Sequence, residues 1–356
     1  MTFAGEIREI DPLEDPIWER LHAKADHGST LFSSTPWLRA VCDTYGLKPR
    51  AKMAFDQEGK PVGGFAYCGI DDLLGRRIVS FPFSDFHDPI GDLAGASSAA
   101  ETLAEENPDI PVRLKIPAGR LPDLNPELFP DEQRLLLHHI IAVSDADAET
   151  QFADLHSQVR QNIRKGRRAG IEVELRSDIE AVRAFYELHV GVRTHKYRLL
   201  PQPYSFFESL HAIFSATDDL RVALANVDGR PVAGILYIQS GQTLYYKFNA
   251  SDTDGLKVRP NEQLIWAGIE HCIERGLTGI DLGVSDIDQP GLVRFKRKFA
   301  QFEQEVATVG GAGTSTSPLA AELRGVFGQL TGLLTDPGVP ADVAERAGDV
   351  LYRYFV

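Results

Sequence analysis

Residues 221–249 read RVALANVDGRPVAGILYIQSGQTLYYKFN. Two tight punctuation marks, Asp228–Gly229 and Ser240–Gly241, separate three apolar runs. A dipeptide of the Asp-Gly type between apolar runs is the strongest short-range signal for a β-hairpin. The stretch therefore predicts a meander of strands over Arg221–Asn226, Pro231–Ile238 and Thr243–Asn249. Downstream, Asn261 opens a helical pattern with Leu264, Ile265, Ile269, Cys272 and Ile273 on one face, and Gly276 stops it. Ile280–Leu282 predicts a short strand, Pro290–Phe299 a short basic helix, and Phe302–Val309 a last strand.

The same order is legible in the first half of the chain. Short helices are expected at Pro16–Ala25 and Pro36–Tyr45, and a hairpin from Ala51–Phe55 and Val62–Ile70 around a turn at Gln57–Gly59. A third strand (Arg77–Phe83), a helix (Ser97–Glu106) and two more strands (Val112–Ile116, Arg134–Val143) follow. Two copies of one element order imply a duplicated α/β fold, although the residues themselves do not repeat. The second copy begins with a helix over Gln151–Gly170, a strand at Ile171–Leu175 and helices at Ile179–His189 and Tyr204–Ala216. The expected domains are residues 1–148 and 149–310. Residues 311–356 add a flexible linker, within GGAGTSTS at 310–317, and two amphipathic helices that dock on the second domain.

With 356 residues and 43% apolar side chains, the chain can fill two cores. No apolar run approaches the roughly 20 residues of a membrane span. The first residues, MTFAGEIREI, lack the apolar stretch of a secretory signal, so a cytoplasmic location is expected. Cys42, Cys68 and Cys272 lie far apart in apolar patterns and read as buried free thiols. The histidines lack ligand spacing; His138 and His139 are adjacent, so on a strand they point to opposite faces, and no metal is expected. A net charge of −14 argues against DNA binding, which draws its affinity from phosphate neutralisation.

The runs VRQNIRKGRRAGIEVE (Val159–Glu174), RPNEQLIWAGIEHCIERGLTGIDLG (Arg259–Gly283) and GLVRFKRKFA (Gly291–Ala300), with SFPFSDFHDPIGD (Ser80–Asp92), resemble the Fem-type branch of the GNAT acyltransferase superfamily. The resemblance spans nearly the whole chain. It implies two tandem GNAT-like domains and transfer of an aminoacyl or acyl group onto an amine, by direct attack in a cleft between domains. The best known relatives use aminoacyl-tRNA to build the peptidoglycan precursor; others act in polysaccharide or natural-product biosynthesis. The resemblance implies no tightly bound cofactor, a donor that is aminoacyl-tRNA or acyl-CoA, possible tRNA binding, and a small-molecule or lipid-linked amine acceptor. A non-catalytic scaffold that binds a cell-envelope precursor is the alternative of another class.

Five groups of residues carry this chemistry. Lys296 lies at the family's functional lysine position, where an ammonium could offset donor phosphate or the oxyanion of the tetrahedral intermediate. Phe295 and Phe299, spaced i, i+4, are expected to bury one helix face and turn the intervening cations outward. Arg160, Arg164, Lys165, Arg167 and Arg168 form a concentrated basic helix suited to donor phosphates. The loop VRPNEQ lacks the glycines with which coenzyme-A-using relatives cradle pyrophosphate. It keeps Arg259 for phosphate, but Pro260 removes a donor N–H and Glu262 adds negative charge. Asn261 and Glu262 are candidate substrate contacts, or else an N-cap and a first-turn acid. Ser84, His87 and Asp92 are candidate acceptor contacts, with Asp85 and Asp88 as candidate proton acceptors. Tyr245 and Tyr246 lie on the strand that lines the acyl cleft, one facing the cleft and one the core.

Overall fold

The computed structural model describes residues 3–24, 30–144, 147–252, 255–311 and 318–356. The expected linker at 310–317 therefore lies mostly outside the described residues. Tertiary contacts divide the chain into two units. The first holds residues 1–137, 304–327 and 356, and the second holds 138–303 and 328–355.

The first unit contains β1 (Glu6–Ile10), α1 (Pro16–Lys24), α2 (Thr35–Tyr45), β2 (Pro49–Phe55), β3 (Pro61–Asp72), β4 (Gly75–Ser80), β5 (Ile90–Gly91), α3 (Leu93–Glu106) and β6 (Val112–Pro117). β1 and β5 were not legible in the sequence; β5 has only two residues. β1 to β4 form an antiparallel ribbon, and β4 then pairs parallel with β6. β7 (Asp131–Ala142) leads into the second unit. Against the first unit's sheet, α3 packs Ala96, Ala99, Ala100 and Leu103 onto Phe65, Tyr67 and Leu114.

The second unit contains α4 (Ala148–Asp154), α5 (Ser157–Arg168), β8 (Glu172–Arg176), α6 (Ile179–Gly191), α7 (Tyr204–Phe214), β9 (Leu220–Val227), β10 (Arg230–Ser240), β11 (Thr243–Ser251), α8 (Pro260–Arg275), β12 (Gly279–Asp286) and α9 (Pro290–Lys296). Asp228 and Gly229 both adopt positive φ, 52° and 75°, the geometry of the tight turn that matches strand twist. The strands follow the order β8-β9-β10-β11-β12-β7. β13 (Phe302–Gly310) returns to pair antiparallel with β6 of the first unit. Each unit is thus closed by a strand from the other half of the sequence. The core under α8 joins Leu264, Ile265 and Ile269 to Tyr237, Leu244, Ile280 and Leu282. Burying each such side chain contributes about 1.5–3 kcal/mol.

One long helix was expected over Gln151–Gly170. The chain instead breaks at Leu155, which adopts extended backbone and turns inward, and His156 Nδ1 then accepts from Gln158 N–H to start α5. At the C-terminus, α10 (Pro318–Leu334) is followed by α11 (Ala341–Leu351). α11 docks on the second unit so closely that a Cβ on Gly348 would lie 2.3 Å from Pro201 O. Residues 318–327 of α10 group with the first unit instead. All three cysteines are free and buried. Among the described residues, no helix is long and apolar enough to cross a membrane and no cluster suits a metal ion.

Candidate functional site

The second unit contains an open wedge. β11 and β12 pair in parallel only at Thr243↔Gly279, Leu244↔Ile280 and Tyr245↔Asp281. β11 runs on to Ser251, still paired with β10, while β12 runs on to Asp286. The two strands therefore part beyond Tyr245, exposing backbone groups that a continued ladder would have satisfied. Tyr245 and Tyr246 alternate across the sheet. Tyr246 packs against Tyr237 on the α8 side, where burial raises its hydroxyl pKa, while Tyr245 points to the other face beside Asp281. Asp281 Oδ2 lies 2.8 Å from His138 Nε2, and its Oδ1 accepts from Gly283 N–H at 2.7 Å. His139, on the opposite face, sits 3.4 Å from Glu303; burial first, then Lys296, lowers its pKa to about 4.

Lys296 is buried against β12, which corrects the expectation of an outward-facing cation. Its side chain is 5% exposed, and Nζ donates to Gly283 O at 3.2 Å and Val284 O at 2.8 Å. Phe295 and Phe299 do share a face, their rings 5.5 Å apart against the second unit's core, yet Lys296 between them turns to backbone carbonyls of β12 and not to solvent. Consecutive carbonyls in a strand point to opposite edges. Here Gly283, at φ 67°, redirects the chain so that two of them meet one ammonium. Arg297 pairs with Glu303, and Lys298 is exposed.

The mouth of the wedge is the start of α8. Arg259 occupies the N-cap in the left-handed conformation (φ 62°, ψ 52°) and offers no side-chain cap; Pro260 takes the first helical position. Asn261 is thus not the N-cap that its sequence position suggested. Its Oδ1 accepts from Ser251 Oγ at 2.9 Å and Asn249 Nδ2 at 3.2 Å, tying the helix to β11. Glu262 is buried and accepts from Asn162 Nδ2 of α5 at 2.6 Å. The Gln263 amide donates to Ile163 O, and a Cβ on Gly166 would lie 2.4 Å from it. α5 therefore lies tightly against the first turn of α8, with its basic face turned away. Arg164 and Arg168 are exposed on that face, and Arg164 also stacks over Phe152. Arg160 is committed to Ala153 O.

Among the described residues, the first unit shows no such opening between β4 and β6. β4 and β6 pair only at Ile78↔Val112 and Val79↔Arg113, and the following loop fills the gap. His87 is 1% exposed, its backbone N–H donating to Lys115 O at 2.8 Å. Its Nε2 accepts from Ala66 N–H, so Nδ1 carries the proton that reaches Phe32 O. Burial holds this neutral ring's pKa down to about 3. Ser84 Oγ accepts from Trp37 Nε1 at 2.8 Å, Asp88 sits 3.4 Å from Arg120, and Asp92 caps α3 through Gly95 N–H. Phe32, Trp37 and Phe86 complete the plug. The residues expected to receive an acceptor, Ser84, His87 and Asp92, are thus committed within the fold; Asp85 is half-buried. The aromatic density of FPFSDFH was the sequence signal for a plug. Asn162 and the His138–Asp281 pair gave no such signal, because their partners are distant in sequence.

Residues 153–297 match the family model described as an acetyltransferase (GNAT) domain. No curated protein matches the chain. Among solved structures, FemX aligns with a TM-score of 0.65 at 15% identity, covering 89% of this chain and 99% of that one. The C-terminal domain of a putative lysylphosphatidylglycerol synthetase from Agrobacterium fabrum aligns at 0.53 and 15% identity, covering 82% and 91%. A tandem GNAT protein from the clavulanic acid biosynthesis pathway aligns at 0.53 and 12% identity, covering 87% and 100%. The chain therefore has the α/β architecture of two tandem GNAT-like domains with C-terminal helices. Residues 153–297 of its second unit match the GNAT acetyltransferase model, and the whole chain shares the fold of FemX.

Proposed function

We propose that the protein transfers an aminoacyl group from aminoacyl-tRNA to an amine acceptor. The amine attacks the donor ester carbonyl in the β11–β12 wedge, the amide C–N bond forms, and the ribose oxygen leaves with a proton. The carrying observation is the start of α8. A pyrophosphate needs several converging N–H groups at a helix N-terminus, whereas here Pro260 supplies none and Arg259 occupies the cap. The buried Glu262 adds a carboxylate in the first turn. The basic face of α5, with Arg164 and Arg168, offers phosphate contacts of the kind a polynucleotide donor needs. Lys296, held by two carbonyls of β12, is the cation for the developing oxyanion. Direct attack needs no tightly bound cofactor. The reading gains support from the fold shared with FemX.

Acyl transfer from acyl-CoA to an amino sugar or natural-product amine is the second reading, favoured by the fold shared with a tandem GNAT protein whose structure is described as without AcCoA. Incubation with tRNA charged with radiolabelled amino acids, beside radiolabelled acetyl-CoA, tests both against a panel of amines. Label should pass from tRNA into an alkali-stable amide. Transfer only from acetyl-CoA supports the second reading, and transfer from neither leaves a binding scaffold.

A further inference from the structure

A groove of about 590 Å³ lies within the second unit, between the C-terminal half of α6 and the far ends of β10 and β11. Ala184, Leu188 and Val192 give it an apolar wall. Glu187, His195 and Lys196 supply charge and a titratable ring along one side, and Arg230 and Asp252, paired with each other, close the other. α6 does not simply end here. It passes into a π-helical turn, Val192–Lys196. Such turns spend an extra residue to re-aim side chains and recur at functional sites.

The turn fixes the tautomer of His195. Thr194 Oγ1 donates its hydrogen to Val190 O at 2.7 Å, so towards His195 Nδ1, 3.0 Å away, it acts as an acceptor. Gly191 O, 3.1 Å from the same nitrogen, can only accept. Nδ1 therefore carries the ring proton and Nε2 the lone pair. Among the described residues, nothing occupies Nε2. Gly191 leaves the floor open, since a Cβ there would meet no atom within 4 Å.

We propose that this groove binds the amine acceptor, a small molecule bearing both an ammonium and an anionic group. Glu187 receives the ammonium, Lys196 the anion, and His195 Nε2 takes the proton that the ammonium must lose. The neutral amine then forms the C–N bond, the donor C–O bond breaks, and the leaving oxygen takes the second proton from nitrogen. His195 returns its proton to solvent. This rests on the transfer reading for the bond-making step, but not for binding.

Calorimetry on the full chain, with lysine and glucosamine 6-phosphate as probes, tests it. Their N-acetylated counterparts serve as controls. At least one amine should bind, its acetylated form at least tenfold more weakly; whichever binds tells carboxylate from phosphate. Glu187→Gln should weaken binding at least tenfold. Gly191→Leu should abolish it while the thermal midpoint holds or rises, because leucine fills the open floor and favours helix over glycine. His195→Gln should leave affinity within threefold. It should lower turnover more than tenfold, as loss of a proton acceptor does. If neither amine binds, or both bind Gly191→Leu unchanged, the groove is not the acceptor site. Amine binding that needs the groove, without transfer from any donor, would sink the transfer reading and leave the site. Unimpaired transfer in Gly191→Leu would do the reverse.

Discussion

Replacing Lys296 with methionine separates its two roles. Methionine keeps most of the side-chain volume, so the cavity contribution is small. What goes is an ammonium that donates to Gly283 O and Val284 O. Hydrogen bonds from a charged donor contribute roughly 1.5–3 kcal/mol each, and both carbonyls would be left in a 5% exposed setting. Since the two bonds share one group, a combined loss of about 2–4 kcal/mol is expected. For a unit of this size each kcal/mol moves the thermal midpoint roughly 2–4 °C, so the variant should melt about 5–15 °C lower. Turnover, measured at a temperature where the variant is fully folded, should fall by about 10²–10³ if Lys296 also stabilises the oxyanion. The exposed Lys298→Ala should change stability by less than ~0.5 kcal/mol and leave turnover near wild type. A Lys296→Met variant melting within a degree of wild type would refute the buried two-carbonyl arrangement. Lost stability with intact turnover would make Lys296 purely structural.

Asp281→Ala strips the carboxylate from both His138 and Gly283 N–H. Leaving the buried Gly283 N–H without its acceptor costs about 1–3 kcal/mol, which denaturant titration will read. Replacing Arg160, Arg164 and Arg168 with Gln should weaken tRNA binding and flatten its dependence on salt, with a log–log slope lower by about 2 for the two exposed cations; equal slopes would return α5 to a solvated face. Acid should destabilise the fold early. Burial lowers the pKa of His87 and His189 to about 3, whereas an unfolded histidine takes its proton near 6.5. The unfolded state therefore binds more protons over that window, and stability falls as pH drops below 6.5, by up to about 1.4 kcal/mol per pH unit per ring. Constant stability between pH 7 and 4.5 would contradict the buried neutral rings.

The meander was legible because its signals are local. Asp228–Gly229 can only be read as a tight turn, and the apolar runs on either side set the strand register. α8 was equally clear, since its face and its Gly276 stop are both written within one helix. The site was less legible because its geometry depends on long-range relations. The wedge exists only because β11 and β12 stop pairing after three residues, and no periodicity announces where a ladder ends. Lys296 read as a surface cation because its acceptors are carbonyls, to which every residue type contributes alike. His87 read as an acceptor contact because its partners, Phe32 O and Ala66 N–H, are likewise backbone atoms. The exchange of β7 and β13 between the units is a matter of which strand finds which edge.

The choice of donor is the central claim, and one titration tests it most directly. Calorimetry of the full chain should give no dissociation constant for coenzyme A as tight as micromolar, roughly −8 kcal/mol. Charged tRNA should bind, with an affinity that falls steeply as salt rises. Micromolar binding of coenzyme A that a substitution at Arg259 weakens, with no binding of charged tRNA, would contradict the account.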